Sequence, residues 1–244
     1  MDMYGANASV NAFDEGRSVG EIVAERISRA AVFEKFGIDY CCGGATPFGE
    51  ACEKAGVAVC DVVGALIESD EALTDDAVDY ASLSLTDLCN HIEEAHHAFM
   101  KRTLPRLTTL VQNTLNAHLP NHPELNDVAE TFIALKTEIE AHLMKEEQVL
   151  FPIIRRIEAG EELPSVGCGI EAPIHQMEHE HDSAGDALRR LRSLTNDYAA
   201  PADACNTYRA MLDTLAEMED DLHLHIHKEN NILFPRAVEL TSGG

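Results

Sequence analysis

The chain has no tryptophan, and aromatic residues make up only 5% of its 244 positions. Whatever core it forms is therefore mostly aliphatic. Basic residues are also scarce: 18 Lys and Arg stand against 43 Asp and Glu, a formal charge of −25. A surface that acidic repels phosphate backbones and anionic lipid, so neither nucleic acid nor a membrane is an expected partner. Cations or a basic protein suit it better. No stretch approaches the roughly 20 consecutive apolar residues of a membrane helix, and the start has neither the basic nor the apolar region of a secretory leader. The expected location is the cytoplasm. Seven cysteines, at 41, 42, 52, 60, 89, 168 and 205, include no C-x-x-C pair. In a reducing compartment they read as free thiols.

Apolar residues at 45%, with long Ala-, Leu- and Glu-rich stretches free of Gly and Pro, predict an all-α protein. Residues 1–17 read as a leader. Ser18-Val-Gly-Glu21 is a capping box that opens a helix to about Phe36, where Gly37 stops it. Further short helices are predicted at about 47–55 and 61–68, giving a small three-helix domain over 1–70. The acidic run that follows, 71–83, reads as a solvated linker. From 84 to 244 four long helices are predicted, at about 84–119, 126–159, 173–199 and 201–240. Short loops between them make an up-down-up-down bundle.

The second helix carries His142-Leu-Met-Lys-Glu146-Glu-Gln-Val-Leu-Phe-Pro152, and the fourth carries His225-Ile-His-Lys-Glu229-Asn-Asn-Ile-Leu-Phe-Pro235. Positions i and i+4 share a helix face, so each copy aims an imidazole and a carboxylate at one point. A single His-x-x-x-Glu is more often a surface pair than a metal site. Two copies in one extended repeat reverse that judgement, since facing helices with paired His and Glu are how bundles hold two metals. The copies lie 83 residues apart, which makes the bundle two helical hairpins from a duplication. Matched spacing also asks for one histidine from the first helix, His96 or His97, and one from the third, His179 or His181. Spacing does not choose within either pair.

The two H-x-x-K-E-x-x-[VI]-L-F-P copies, together with Cys41-Cys42-Gly43-Gly44, resemble the di-iron "repair of iron centres" proteins, the iron–sulfur cluster repair family. The resemblance spans nearly the whole chain and implies a hemerythrin-like bundle behind a small N-terminal domain. It implies His97, seven residues before Leu104-Pro105, and His181, in Glu180-His181-Asp182-Ser-Ala-Gly185. With His142 and His225 these would be terminal ligands, and Glu146 and Glu229 bridging carboxylates. The implied cofactor is two iron ions with an oxo or hydroxo bridge. Oxygen-carrying hemerythrins usually place a further His four residues after the third-helix ligand, where this chain has Gly185.

Imidazole and carboxylate suit iron or manganese, and each metal wants about six donors, so this set leaves an exchangeable position. The expected function is repair of iron–sulfur clusters damaged by nitrosative or oxidative stress, by donating iron to damaged iron–sulfur proteins. The alternatives are a di-iron NO reductase or peroxidase, and an O₂- or NO-binding sensor. Cys41 and Cys42 read either as small hydrophobes buried in a thin core or as accessible thiols at a turn, able to engage iron, a persulfide or a partner. Gly43-Gly44 tips the reading toward the exposed loop. The other cysteines read as packing residues, His118 and His122 as exposed turn residues, and Lys145 and Lys228 as groups solvated or paired at the surface. Pairing of two chains through the N-terminal domain into a homodimer is left open.

Overall fold

A computed structural model describes residues 13–72, 78–161 and 169–242. Cys168, most of 1–17 and the middle of the acidic run lie outside them. Every regular element among the described residues is a helix, and none is long and apolar enough to cross a membrane. The chain folds as two compact units: Met1–Ser84 with Ile226–Arg236, and Leu85–His225 with Ala237–Gly244.

In the first unit, α1 (Val19–Glu25) opens on the expected capping box. Ser18 Oγ accepts the Glu21 N–H at 3.1 Å, and Glu21 Oε2 accepts the Ser18 N–H at 3.2 Å. The helix does not reach Phe36, however. It breaks at Arg26, whose backbone is extended (φ −154°, ψ 103°), and resumes after a 3₁₀ turn, Ile27–Arg29, as α2 (Ala30–Lys35). The break lets two arginines reach one acid on α4 (Val59–Ala72). Arg26 donates to the Asp70 carbonyl at 2.9 Å, while Arg29 grips both Asp70 carboxylate oxygens at 3.1 and 2.8 Å. The 13–17 segment is part of the fold rather than a leader. Phe13 is buried with the Arg29 guanidinium 4.9 Å from its ring centroid, and Arg17 pairs with Glu25 at 2.6 Å.

Between α2 and α3 (Phe48–Ala55) lies the Cys41-Cys42-Gly43-Gly44 loop, held by a segment from the far end of the sequence. Asn231 donates to the carbonyls of Tyr40 (3.3 Å) and Cys41 (3.1 Å), and His227 sets its ring edge against Tyr40 at 5.5 Å. A Cβ on Gly44 would come within 2.1 Å of Asn231 Oδ1, so the close approach requires glycine there. Lys228 is not a surface group. It is 3% exposed, with Nζ 4.3 Å from the Tyr80 ring centroid.

The four-helix bundle is built from Leu85 to Ser242. Its first helix joins α5 (Leu85–Ile92) to α6 (Ala98–His118) through a π turn, Glu93–His97. The second joins α7 (Leu125–Lys145) to α8 (Phe151–Glu158) through Glu146–Leu150. The third is unbroken, α9 (Glu171–Leu194). The fourth runs from α10 (Asn206–Lys228) through a π turn, Glu229–Leu233, into α11 (Phe234–Ser242). The division between the compact units falls inside this last continuous helix.

The first bundle helix starts where the sequence places it, directly after Ser84. The Glu158 carboxylate, from the end of α8, also accepts the Leu85 and Thr86 N–H groups at 2.6 and 2.8 Å. Other ends differ from the sequence reading. The third helix stops early because Asn196, Asp197 and Tyr198 are all left-handed, with φ of 49°, 56° and 57°. The fourth begins at Asn206, not at Pro201.

Cys205, just before α10, is exposed rather than packed, with Sγ 3.2 Å from His118 Nε2. His118 and His122 are themselves half-buried against Tyr208 rather than merely exposed. The His118 contact, with the N–H groups of Tyr208 and Thr207, brings the Cys205 thiol down to about 7. Its alkylation rate by iodoacetamide, followed by mass spectrometry, should therefore titrate near neutrality. His118→Gln should move that midpoint up toward the ordinary thiol value of about 8.5; an unmoved midpoint would remove His118 from the explanation.

Candidate metal centre

The π turns sit where the candidate ligands are. In a π turn the N–H bonds five residues back, so the turn is wider than α. The Phe151 N–H bonds Glu146 C=O, the Phe234 N–H bonds Glu229 C=O, and the Ala98 N–H reaches Glu93 C=O. In both repeat copies a proline follows directly, Pro152 and Pro235. A proline ring collides with the carbonyl four residues earlier and offers it no N–H. A wide turn just before the proline eases both problems. His142 and Glu146 remain on the α side of the joint, since the Glu146 N–H bonds the carbonyls of His142 and Leu143.

Glu146 is the hub. Its side chain is fully buried, with Oε1 3.1 Å from His142 Nε2 and Oε2 3.3 Å from His97 Nε2 and 3.9 Å from His225 Nε2. One carboxylate thus faces two sets of imidazoles, one per oxygen. On the Oε1 side, His181 Nε2 lies 3.0 Å from His142 Nε2. The ligand atoms form two groups, His97, Glu146, His225 and Glu229, and His142, Glu146, His181 and Glu229. Within each group all four atoms lie within 4.8 Å of one another, and all four residues are buried. Both carboxylates belong to both groups. This donor set fits two borderline-to-hard cations sharing two carboxylates.

Of the histidines left open by spacing, His97 and His181 enter these groups. His179 is exposed. His96 is buried but turned aside, with Nδ1 2.9 Å from Asp221 and its ring stacked on His225 at 5.4 Å. Gly185, four residues after His181, is buried and offers no side-chain donor.

Two carboxylates that sequence reasoning did not single out stand behind the imidazoles. His97 Nδ1 lies 2.9 Å from Glu147 Oε1, and Lys101 also bonds that oxygen. His142 Nδ1 lies 2.9 Å from Glu180 Oε2, and Lys145 and Gln176 hold the other oxygen of Glu180. Lys145 is therefore a paired group. Burial raises the Glu180 pKa, but hydrogen bonds from Lys145, His142 and Gln176 outweigh it and hold the group at about 2. Glu147 is likewise lowered, burial being outweighed by Lys101 and His97. Ionised acids at both Nδ1 positions fix the tautomer that leaves each Nε2 pointing inward as a lone pair. The only sequence signal was adjacency: Glu147 follows Glu146, and Glu180 precedes His181. A groove of about 330 Å³, lined by Lys101, Leu104, Pro105, Leu143, Met144 and Glu147 among others, opens beside the Glu147 carboxylate.

Residues 89–237 match the Hemerythrin HHE cation binding domain, and residues 15–70 match a Domain of Unknown Function, DUF542. The iron-sulfur cluster repair protein YtfE of Pectobacterium atrosepticum is 33% identical over 222 residues, covering 91% of this chain and 96% of its own. The proteins of the same name from Musicola paradisiaca and Escherichia coli O81 are each 33% identical, covering 91% and 90% of this chain and 96% of their own.

Proposed function

We propose a function from the premise that this chain belongs to the iron–sulfur cluster repair family, with a hemerythrin cation-binding bundle: it restores iron–sulfur clusters damaged by nitrosative or oxidative stress, giving up iron from a two-metal centre. The observation that carries the reading is the pair of buried four-residue groups that share Glu146 and Glu229. His97 and His225 would hold one iron, His142 and His181 the other, and the two carboxylates would span both. Bound there, an iron pair supplies exchangeable coordination and a source of ferrous ion.

The protein's own part is to hold that pair firmly yet releasably. Glu147 and Glu180 lock two of the imidazoles, so they stay directed inward as the metal comes and goes. Gly185 withholds a donor where a longer side chain could close the coordination sphere. The groove beside Glu147, the carboxylate behind His97, would be the side from which NO or O₂ approaches. Cys41 and Cys42 would meet the recipient or the outgoing iron. The recipients are damaged iron–sulfur proteins, and the compartment is the cytoplasm.

The test is anaerobic. A cluster enzyme is inactivated with NO, and its recovery is followed after adding iron-loaded protein. Wild type should restore activity, whereas His142→Ala and Glu229→Ala should not; equal recovery with either variant rules out donation from this centre. Gly185 also favours one second reading, NO reduction at the exchangeable position. Repeated turnover of NO to N₂O with iron content unchanged would support that reading over repair.

A further inference from the structure

The first unit holds a second cluster of metal-ligating side chains. Asp39, Cys41 and Cys42 bring a carboxylate oxygen and two sulfurs within 4.8 Å of one another. Cys41 Sγ lies 3.4 Å from Asp39 Oδ1 and 3.9 Å from Cys42 Sγ. Metal–sulfur bonds of about 2.3 Å and metal–oxygen bonds of about 2.0 Å at a tetrahedral angle set S···S near 3.8 Å and S···O near 3.5 Å. Two of the three edges already have the lengths of a tetrahedral site and the third is within 4.8 Å. The sulfurs are far too distant for a disulfide, in which they lie about 2.05 Å apart.

The loop's surroundings hold that geometry. Asp39 Oδ1 accepts the Cys41 N–H at 3.1 Å, which folds the carboxylate back over the cysteines. Asn231 fixes the Tyr40 and Cys41 carbonyls from the other side. A Cβ on Gly43 would come within 3.0 Å of the Asp39 carbonyl, so the first glycine permits the same fold-back. Asp39 is exposed, Cys42 half-buried and Cys41 buried, so the cluster lies at the boundary between core and solvent.

We propose that Asp39, Cys41 and Cys42 form a three-ligand site for one borderline divalent cation, Fe(II) or Zn(II), whose fourth position is taken by water or by a donor from another molecule. Thiols bind a metal as thiolates, so binding displaces their protons and affinity rises with pH. Three ligands and an open corner make a site for holding an ion in passage rather than for locking it in. The site stands on its own geometry; its use as a stopping point for outgoing iron rests on the repair reading above.

Cobalt(II) is the probe, because thiolate ligation gives it a near-ultraviolet charge-transfer band that nitrogen and oxygen ligation does not. Titration of the full-length chain should give that band, saturating at one ion per chain and displaced by zinc. Cys41→Ser and Cys42→Ser should each abolish it. Asp39→Asn, an exposed change that leaves both sulfurs in place, should weaken cobalt binding about 10- to 100-fold. Glu146→Ala should leave the band intact, which separates this site from the bundle centre. Absence of a thiolate band, or its persistence in both serine variants, overturns the proposal.

Discussion

Glu146→Ala is expected to lose both bound metal ions, not one. Each oxygen of this carboxylate faces a different imidazole set, at 3.1 Å on one side and 3.3 Å on the other. Truncation therefore takes a donor from both ions and leaves Glu229 as the one shared carboxylate to offset the repulsion between two cations held by four neutral imidazoles. Removing a carboxylate that merely orients a ligand costs roughly 10- to 100-fold in affinity. A carboxylate shared by two ions should cost more than that at each. Glu147→Gln provides the contrast: the amide can still accept from His97 Nδ1–H, and both ions should be retained with affinity reduced by about tenfold. Metal per chain, measured after desalting under anaerobic conditions, separates the cases. A Glu146→Ala protein that keeps one tightly bound ion would show that the carboxylate serves a single metal.

Arg29→Ala should cost the first unit about 2–3 kcal/mol, just below the roughly 3–5 kcal/mol of breaking a fully buried ion pair. Arg29 is 6% exposed and meets Asp70 through two hydrogen bonds, Glu25 at 2.9 Å and the Ile22 carbonyl at 2.9 Å. Truncation strands all of these at once, including a carbonyl at the α1 break that has lost the helical continuation. Asp70 retains some contact with water, with a side chain 22% exposed, and that keeps the cost below the fully buried range. Hydrogen exchange over residues 19–70 is the suitable measurement, because it reports this unit without requiring the whole chain to unfold in one step. Protection reduced by less than about threefold, or under roughly 0.7 kcal/mol, would place the cluster among ordinary surface pairs.

The all-helical bundle was legible because its signals are local and repeated. The Ser18 capping box, the stop at Gly37 and the repeated His-x-x-x-Glu segments each need only a few neighbouring residues. What escaped depends on distant partners. The cap on Leu85 comes from Glu158, 73 residues away, and no window around Ser84 contains it. The break at Arg26 answers to Asp70, 44 residues on, and helical propensity argues against it. Lys145 and Lys228 both looked surface-facing because each stands one residue before its Glu, on a neighbouring helix face; the Tyr80 contact sets the second copy apart.

The centre divides along the same line. His142, Glu146, His225 and Glu229 announced themselves through duplication, whereas spacing left His96 level with His97. Only the fold turns His96 aside to Asp221 and His97 toward Glu146. The copies also differ where Met144 and Gln148 stand against His227 and Asn231. The first pair leaves Met144 52% exposed, while the second grips the Tyr40–Cys41 backbone. The repeat thus carried one message common to both copies and another that only one of them delivers.

The π turns also bear on how such a centre can arise. A turn that bonds five residues back instead of four holds one residue more than an α-helix of the same span. Three of the four bundle helices carry that surplus residue where ligands gather. A single-codon insertion is absorbed locally as a bulge, without rotating the rest of the helix out of the core. The metal-binding segments can then be read as tolerated additions to an ordinary coil of turns. Deleting one residue from such a turn would undo the addition while leaving the bundle's packing phase on both sides unchanged.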